Sequence, residues 1–399
     1  MNGGRHRTAG RAAFRIRTRA LYGTGSGYSA GTRSAPRAPP ASGPAASAVR
    51  RAPRRRFRTR PRSRPHMTNR QPTLDEVAQR AGVSRGTVSR VMNNRQHVSG
   101  KAREAVERAV RELGYVPSMA ARSLASQRRG AVVLAISSDD SALFSNLFFA
   151  EVITGINDVI EETDLELLLV LAASERGRNR LARILQSRGA DGVLLLALRE
   201  NDPLAKIAES GGVPVVHGGR PLERAPRHYV DADNRGGARQ AVEHLIATGR
   251  RAIGTITGPL DMHAGVNRYL GFREAVALAG LGDERVAHAD FSQAGGAAAM
   301  AELLDRHPDL DAVFVASDAM AVGALEVLRG RGRTVPGDVA VIGFNDIVTA
   351  RHTSPPLTTI RQPIEALGRE MTRMLVRLIN DEKPTSLILP TELVIRESA

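Results

Sequence analysis

Between Thr73 and Leu113 apolar residues recur at helical spacing in three short groups. Leu74, Val77 and Ala78 make one stripe, and Val88, Val91 and Met92 a second. Ala102, Ala105, Val106, Ala109, Val110 and Leu113 make a third. Each group has a start signal: Thr73 with Glu76 three residues on forms a capping box, and Ser84 and Ser99 can cap the next two helices. Gly82 breaks the pattern where a tight turn is needed, and Gly114 stops the third helix. From about Ala131 the grammar changes. Apolar runs such as Ala131–Ile136, Leu165–Leu171, Val193–Leu198, Ile253–Ile256, Ala312–Ala316 and Val339–Phe344 alternate with helical stretches such as Phe148–Glu162 and Arg268–Ala279. Strands apolar on both faces, alternating with helices, predict buried parallel sheets built from βαβ units. There are more such runs than one compact sheet comfortably takes, so the pattern predicts two lobes.

Composition changes this picture in two places. The chain has 399 residues and a net charge of +16. That charge sits mostly in residues 1–66, which hold 17 Arg and no Asp, Glu or Lys. Without those 17 the chain has 40 basic residues against 41 acidic ones. The excess reappears in residues 67–129, with 12 Lys plus Arg against 5 Asp plus Glu. A basic head on a near-neutral body is the footprint of a module that meets phosphates. Residues 1–66, rich in Arg, Pro, Ala, Gly and Ser without apolar periodicity, are expected to be disordered. They read as an extension upstream of a true start at Met67, as a basic tail adding non-specific DNA affinity, or as an Arg-rich targeting peptide. Cys is absent, which removes disulfides and thiol chemistry. No apolar run approaches the ~18 residues of a membrane span.

Helix, glycine turn, helix lets a second helix enter a major groove. In Arg85–Asn93 the outward residues are Arg85, Gly86, Thr87, Ser89, Arg90 and Asn93. Arginine can fork onto the O6/N7 edge of guanine, while hydroxyls and amides suit phosphates. The same pattern alone also fits a three-helix bundle with a solvated basic face.

The segment from Thr73 to Asn93, continued by His97-Val98-Ser99 and by Leu113 to Pro117, closely resembles the DNA-binding signature of the lactose-repressor (LacI/GalR) family. The resemblance extends through Asn146 to Glu151, Asp191-Gly192-Val193, Arg268 to Phe272, Ala316 to Ala321, Gly343 to Asp346 and Pro355 to Gln362. It implies an all-α helix-turn-helix head and a two-lobed α/β body with parallel sheets, like periplasmic binding proteins. The head is expected at 67–116, a hinge helix and linker at 117–129, and the effector-binding and dimerisation body at 130–399. Lobe 1 would take about 130–230 and 362–389, and lobe 2 about 231–360 and 391–396. The implied function is that of a cytoplasmic, homodimeric transcription regulator, a repressor of double-stranded operator DNA controlled by a sugar-like small molecule.

By position, the resemblance gives Arg85 and Gly86 the choice of operator and Arg90 base reading. Thr87, Ser89, Asn93 and His97 would hold the DNA backbone, and Leu124 would wedge into a minor-groove step. Gly86 brings no side chain, which implies weaker discrimination at its base pair. Arg268 matches the arginine that grips ligand oxygens, and Phe148 the edge of that site. Departures follow: Ser317 stands where relatives usually have Asn, Asn345 where an Asp pair usually begins, and Gly219-Arg220 where many carry Asp before Arg. With Arg220 nearby, the ligand is either something other than a simple hexose or an anion drawn by Arg220 and Arg268. Whether it releases or strengthens DNA binding stays open, with release the commoner arrangement. A secreted solute-binding protein would share the body but has no use for the head. Gly-x-Ser-x-Gly occurs at Gly27-Tyr28-Ser29-Ala30-Gly31, in the Arg-rich extension, and at Gly82-Val83-Ser84-Arg85-Gly86, in a helix-to-helix turn. Neither sits between a strand and a helix as a nucleophile elbow would, and no phosphate-cradling Gly-x-x-x-x-Gly-Lys and no metal-spaced cluster points to an enzyme, cofactor or metal. His217, near a strand end, reads as cleft lining.

Overall fold

The computed structural model describes residues 72–92, 98–115, 128–138, 146–222 and 226–399. Three helices open it: α1 (Leu74–Ala81), α2 (Arg85–Met92) and α3 (Gly100–Leu113). At α1 the Thr73 hydroxyl accepts from the Glu76 amide while the Glu76 carboxylate accepts from the Thr73 amide. Both amides would otherwise lack a partner at a helix start. Gly82 ends α1 at φ 66°, a left-handed turn that a side chain would resist. Ser84 accepts from the Thr87 amide and Ser99 from the Ala102 amide. The three helices close on Val77, Ala78, Val88, Val91, Val106, Ala109 and Tyr115. An Arg80–Glu112 ion pair joins α1 to α3.

The body is built on two six-stranded sheets. The first holds β1 (Ala131–Ile136), β2 (Glu166–Leu171), β3 (Gly192–Leu196), β4 (Val215–Gly218), β5 (Tyr229–Ala232) and, returning late, β11 (Leu387–Leu389). Its order is β11-β5-β4-β3-β1-β2, parallel throughout. Helices α4 (Leu147–Ile160), α5 (Glu175–Gln186), α6 (Pro203–Glu209) and α11 (Ile364–Ile379) cover it. The second sheet holds β6 (Ile253–Thr257), β7 (Val286–His288), β8 (Ala312–Val315), β9 (Ala340–Asn345), β10 (Thr358–Arg361) and β12 (Glu392–Val394). Its order is β12-β10-β9-β8-β6-β7, parallel except where β12 meets β10. Around it lie α7 (Asn234–Ala247), α8 (His263–Leu278), α9 (Gln293–Arg306) and α10 (Asp318–Gly330).

The chain passes between the sheets three times, after β5, after β10 and after β11. The first and third passages are tied together. The Asp233 amide donates to the Leu389 carbonyl at 2.9 Å, and the Thr391 hydroxyl to the Asp233 carbonyl at 3.2 Å. In each sheet the strand order reverses beside its first strand, between β1 and β3 and between β6 and β8. Open parallel sheets offer a crevice at the carboxyl ends of the strands at such a point.

Helices α4 and α11 cross at backbone contact. A methyl group built on Gly155 would overlap the carbonyl of Glu365, and one on Gly368 that of Val152. Gly155→Ala should therefore lower the urea midpoint of the full chain, by roughly 1–3 kcal/mol of overpacking. This reverses the ~0.5–1 kcal/mol gain usual for glycine to alanine within a helix. A raised midpoint would show that the two helices part without penalty.

Candidate functional site

α2 turns Val88 and Val91 into the head core and leaves Arg85, Gly86 and Arg90 exposed, with Thr87 and Ser89 half-buried at the flanks. A helix with apolar residues three apart on one side can do nothing else with positions 85, 86 and 90. Arg90 makes no hydrogen bond or ion pair with any described residue. Its guanidinium lies back along the helix, 3.6 Å from where a Cβ on Gly86 would stand. Arg85 sits 3.6 Å from the Asp75 carboxylate, an exposed pair worth ~0–1 kcal/mol and easily exchanged for another anion. Thr87 is held by the Ser84 hydroxyl at 2.9 Å. Asn93, His97, Leu124 and the whole 117–125 segment lie outside the described residues, as do residues 1–66.

In the body, strand ends from both sheets converge on a cavity of about 130 Å³. The first lobe brings Leu196 and Ala197 at the end of β3, Gly218 and Gly219 at the end of β4, and Asp231 in β5. The second brings Ser317 after β8, Asn345 ending β9, and Phe291. Gln362 comes from the passage after β10, Phe148 and Phe149 from α4, and Arg268 from α8.

Arg268 is the centre. It is 4% exposed. Its Nε donates to Asn234 Oδ1 at 2.9 Å, Nη1 to the Ala316 carbonyl at 2.6 Å and Nη2 to Gln362 Oε1 at 3.1 Å. The guanidinium lies over the Phe344 ring, 3.7 Å from its centroid. Of the five N–H donors of an arginine, two are left for a ligand. Burial pushes its pKa down to about 9, against the pull of the Asp231 and Asp318 carboxylates, so it stays cationic at neutral pH. Asn234 Nδ2 donates to Asp231 Oδ1 at 3.2 Å, and Asn345 Nδ2 to Gln362 Oε1 at 2.8 Å. A continuous hydrogen-bonded chain thus runs Asp231, Asn234, Arg268, Gln362, Asn345.

Of the residues that the resemblance assigns to an effector, Phe148, Arg268, Ser317 and Asn345 line this one cavity. Ser317 also caps α10, its oxygen accepting from the Met320 amide at 3.3 Å. Asn345 and Asp346 both have positive φ, 122° and 57°, an unusual backbone held by Arg361 and Arg396 on the Asp346 carboxylate. Arg220 is not among the lining residues. Its Nε donates to Asp231 Oδ2 at 2.9 Å and its guanidinium lies over Tyr229. His217 is displaced too: it is buried in β4 and lines a separate groove of about 800 Å³ beside α6, leaving Gly218 and Gly219 at the cavity. Burial lowers its pKa to about 4, so it is neutral at pH 7.

Asn146, Asp231, Asn234, Phe291 and Gln362 were not singled out from the sequence. Asp231, Asn234 and Gln362 do carry a signal, since each stands at or just past the carboxyl end of a short strand. Phe291, at φ 69° in a loop, carries none. Among the described residues no group of three or more His, Asp or Glu could hold a metal ion, and no helix is long and apolar enough to cross a membrane.

Residues 73–118 match the lacI family of bacterial regulatory proteins, and residues 242–399 a periplasmic binding protein-like domain. The HTH-type transcriptional regulator CelR of Thermobifida fusca is 49% identical over 335 residues, covering 82% of this chain and 98% of its own. The chain belongs to the LacI family. It is a DNA-binding transcriptional regulator with a helix-turn-helix head and an effector-binding body. Another LacI-family relative, the repressor PurR of Escherichia coli, is 35% identical over 82% of this chain and 96% of its own. Among solved structures, a CelR–cellobiose complex shares 47% identity at a TM-score of 0.66, covering 82% of this chain and all of that one. The lac repressor dimer bound to operator and the anti-inducer ONPF shares 28% at a TM-score of 0.73, covering 82% and 99%.

Asp318, next to Ser317, is wholly buried, accepting from the Thr359 hydroxyl at 2.6 Å and the Ile347 amide at 3.0 Å. Burial above all raises its pKa from 3.8 to about 6. The folded state then binds this proton more tightly than the unfolded chain. Its contribution to stability is full below pH ~4 and is lost as pH rises through about 6. Asp318→Asn removes that titration. The stability gap between parent and variant should narrow between pH 4 and pH 7.5 by roughly 2–3 kcal/mol, read by denaturant unfolding. A constant gap would mean that the carboxyl titrates normally.

Proposed function

We propose that this LacI-family regulator is a cytoplasmic, homodimeric repressor without enzymatic activity. It reads a near-palindromic operator through α2 and leaves it when a neutral sugar, cellobiose or a close relative, fills the cavity between the lobes. The observation that carries the choice of ligand is the charge balance around Arg268. Arg220 is paired with Asp231, and Arg268 is enclosed by neutral acceptors with Asp231 and Asp318 both close enough to oppose its charge, so two carboxylates stand against two guanidiniums. Beyond the two remaining N–H groups of Arg268, what faces a ligand is neutral: the Ser317 hydroxyl, the Asn345 and Asn146 amides, and the Phe148 and Phe291 rings. A phosphate or carboxylate entering beside Asp231 would lose its hydration and meet a guanidinium whose charge Asp231 and Asp318 already oppose. A sugar ring brings hydroxyls that donate and accept, and apolar faces for the aromatic walls. The 49% identity to CelR and the 47% identity to the CelR–cellobiose complex support the same class.

A cavity of about 130 Å³ is below the ~300–1,000 Å³ usual for small-molecule sites. A disaccharide therefore needs the lobes to part at the three passages, and this is the motion that reports occupancy. Two-fold symmetry of a dimer matches two half-sites, with α2 of each copy in one major groove.

The test is fluorescence anisotropy with a duplex that the protein itself selects from random-sequence DNA. Cellobiose should weaken binding about tenfold or more, while glucose 6-phosphate and guanine leave it unchanged. A sugar phosphate or purine that shifts the curve where cellobiose does not would sink the neutral-sugar assignment. Arg90→Ala should weaken the selected duplex roughly 10- to 100-fold, the worth of one bidentate base contact, with non-specific affinity largely kept. Equal sequence preference in variant and parent would take α2 out of the reading role.

A further inference from the structure

Two elements of the first lobe have one end at the cavity and the other at residues 128–130, the amino-terminal edge of the body. α11 begins just behind Gln362, whose Oε1 accepts from both Arg268 and Asn345, and Leu367 in its first turn lines the cavity. The helix then runs 16 residues, about 24 Å at ~1.5 Å per residue. At its far end Arg128 takes hold: Nη2 donates to the Ile379 carbonyl and Nη1 to Asn380 Oδ1, each at 2.8 Å. That carbonyl is among the last four of the helix, which lack partners within it, and a cation there also complements the helix dipole.

β3 makes the second connection. Leu196 and Ala197 at its carboxyl end form cavity wall. Just before its first residue, the Asp191 carboxylate accepts from the amides of Arg129 at 2.8 Å and Gly130 at 2.7 Å. The rails are locked to each other sideways. Leu375 of α11 fills the space where Gly192 of β3 would carry a Cβ, and Met371 does the same at Gly218 of the neighbouring β4, beside the cavity. Close packing of this kind transmits a displacement where a loose contact would absorb it.

We propose that α11 and β3 carry the state of the cavity to the segment joining body and head, with Arg128 and Asp191 as the residues that hook that segment to them. Neither lines the cavity; both position the anchor from which the head is reached. A shift of α11 or β3 as the lobes rearrange moves that anchor. The inference rests on the reading that a ligand between the lobes alters operator affinity.

Two experiments on the full chain decide it. In the first, cellobiose is the probe. Arg128→Gln should keep the cellobiose affinity of the DNA-free protein within about twofold, while the change cellobiose causes in operator affinity shrinks about fivefold or more. Asp191→Asn should act in the same direction. Arg373→Gln, on the same helix but paired only with Glu370, should respond like the parent. An undiminished response in Arg128→Gln overturns the proposal. The second needs no ligand: Gln362→Ala is made alone and together with Arg128→Gln, and operator affinity is measured for the four proteins. An effect of Gln362→Ala that disappears when Arg128 is gone supports transmission along α11, and simple additivity overturns it. A parent indifferent to cellobiose, with non-additivity in the cycle, would sink the sugar assignment and keep the coupling.

Discussion

A guanidinium with almost no exposed surface has to be satisfied where it stands, because a buried unpaired charge costs several kcal/mol. Arg268 meets this demand with acceptors drawn from different parts of the chain: Asn234 just past the first passage between lobes, Gln362 in the second, and the Ala316 carbonyl after β8. Satisfying one charge therefore fixes how two of the passages lie against each other. It also explains the uncharged residues at Ser317 and Asn345. With Asp231 and Asp318 already acting on the guanidinium, a further carboxylate in the wall would leave an excess negative charge out of water.

The sheets make this arrangement possible. Parallel strands put all their carboxyl ends on one edge, and each sheet reverses its order beside its first strand. Two such edges facing each other gather side chains that are far apart in sequence, from Phe148 to Gln362, around one small space. The head works on a different principle. Among the described residues its core is seven buried side chains, too few to tolerate a poor helix start, and the capping at Thr73, Ser84 and Ser99 supplies part of the definition that a larger core would give.

What could be read in the sequence follows from these two designs. The head helices are legible because caps, stripes and glycine stops agree. β1, β3, β8 and β9 are legible because they are buried on both faces. β7, β11 and β12 are three residues each and partly exposed; of these β12 was anticipated, as the return to the second lobe near 391–396 that the resemblance implies. α8 starts at His263, five residues before the stretch read from Arg268, since a buried arginine interrupts the apolar pattern and Met262 offers no side-chain cap. Arg268, Phe148, Ser317 and Asn345 were found by resemblance. Asp231, Asn234 and Gln362 were not: their places at strand ends are a weak signal, and their roles come from standing around Arg268, which the fold decides. Arg220 shows the converse: its charge was visible, while the Asp231 that neutralises it was eleven residues away.

The most direct measurement is calorimetric titration of Arg268→Lys with cellobiose. Lysine keeps the charge and loses the planar fork that grips Asn234, Ala316 and Gln362 while facing the ligand. The variant should unfold cooperatively and still bind its selected duplex, yet give no cellobiose heat and no cellobiose response on DNA. Cellobiose binding as tight as the parent's would contradict the placing of Arg268 at the centre of the effector site.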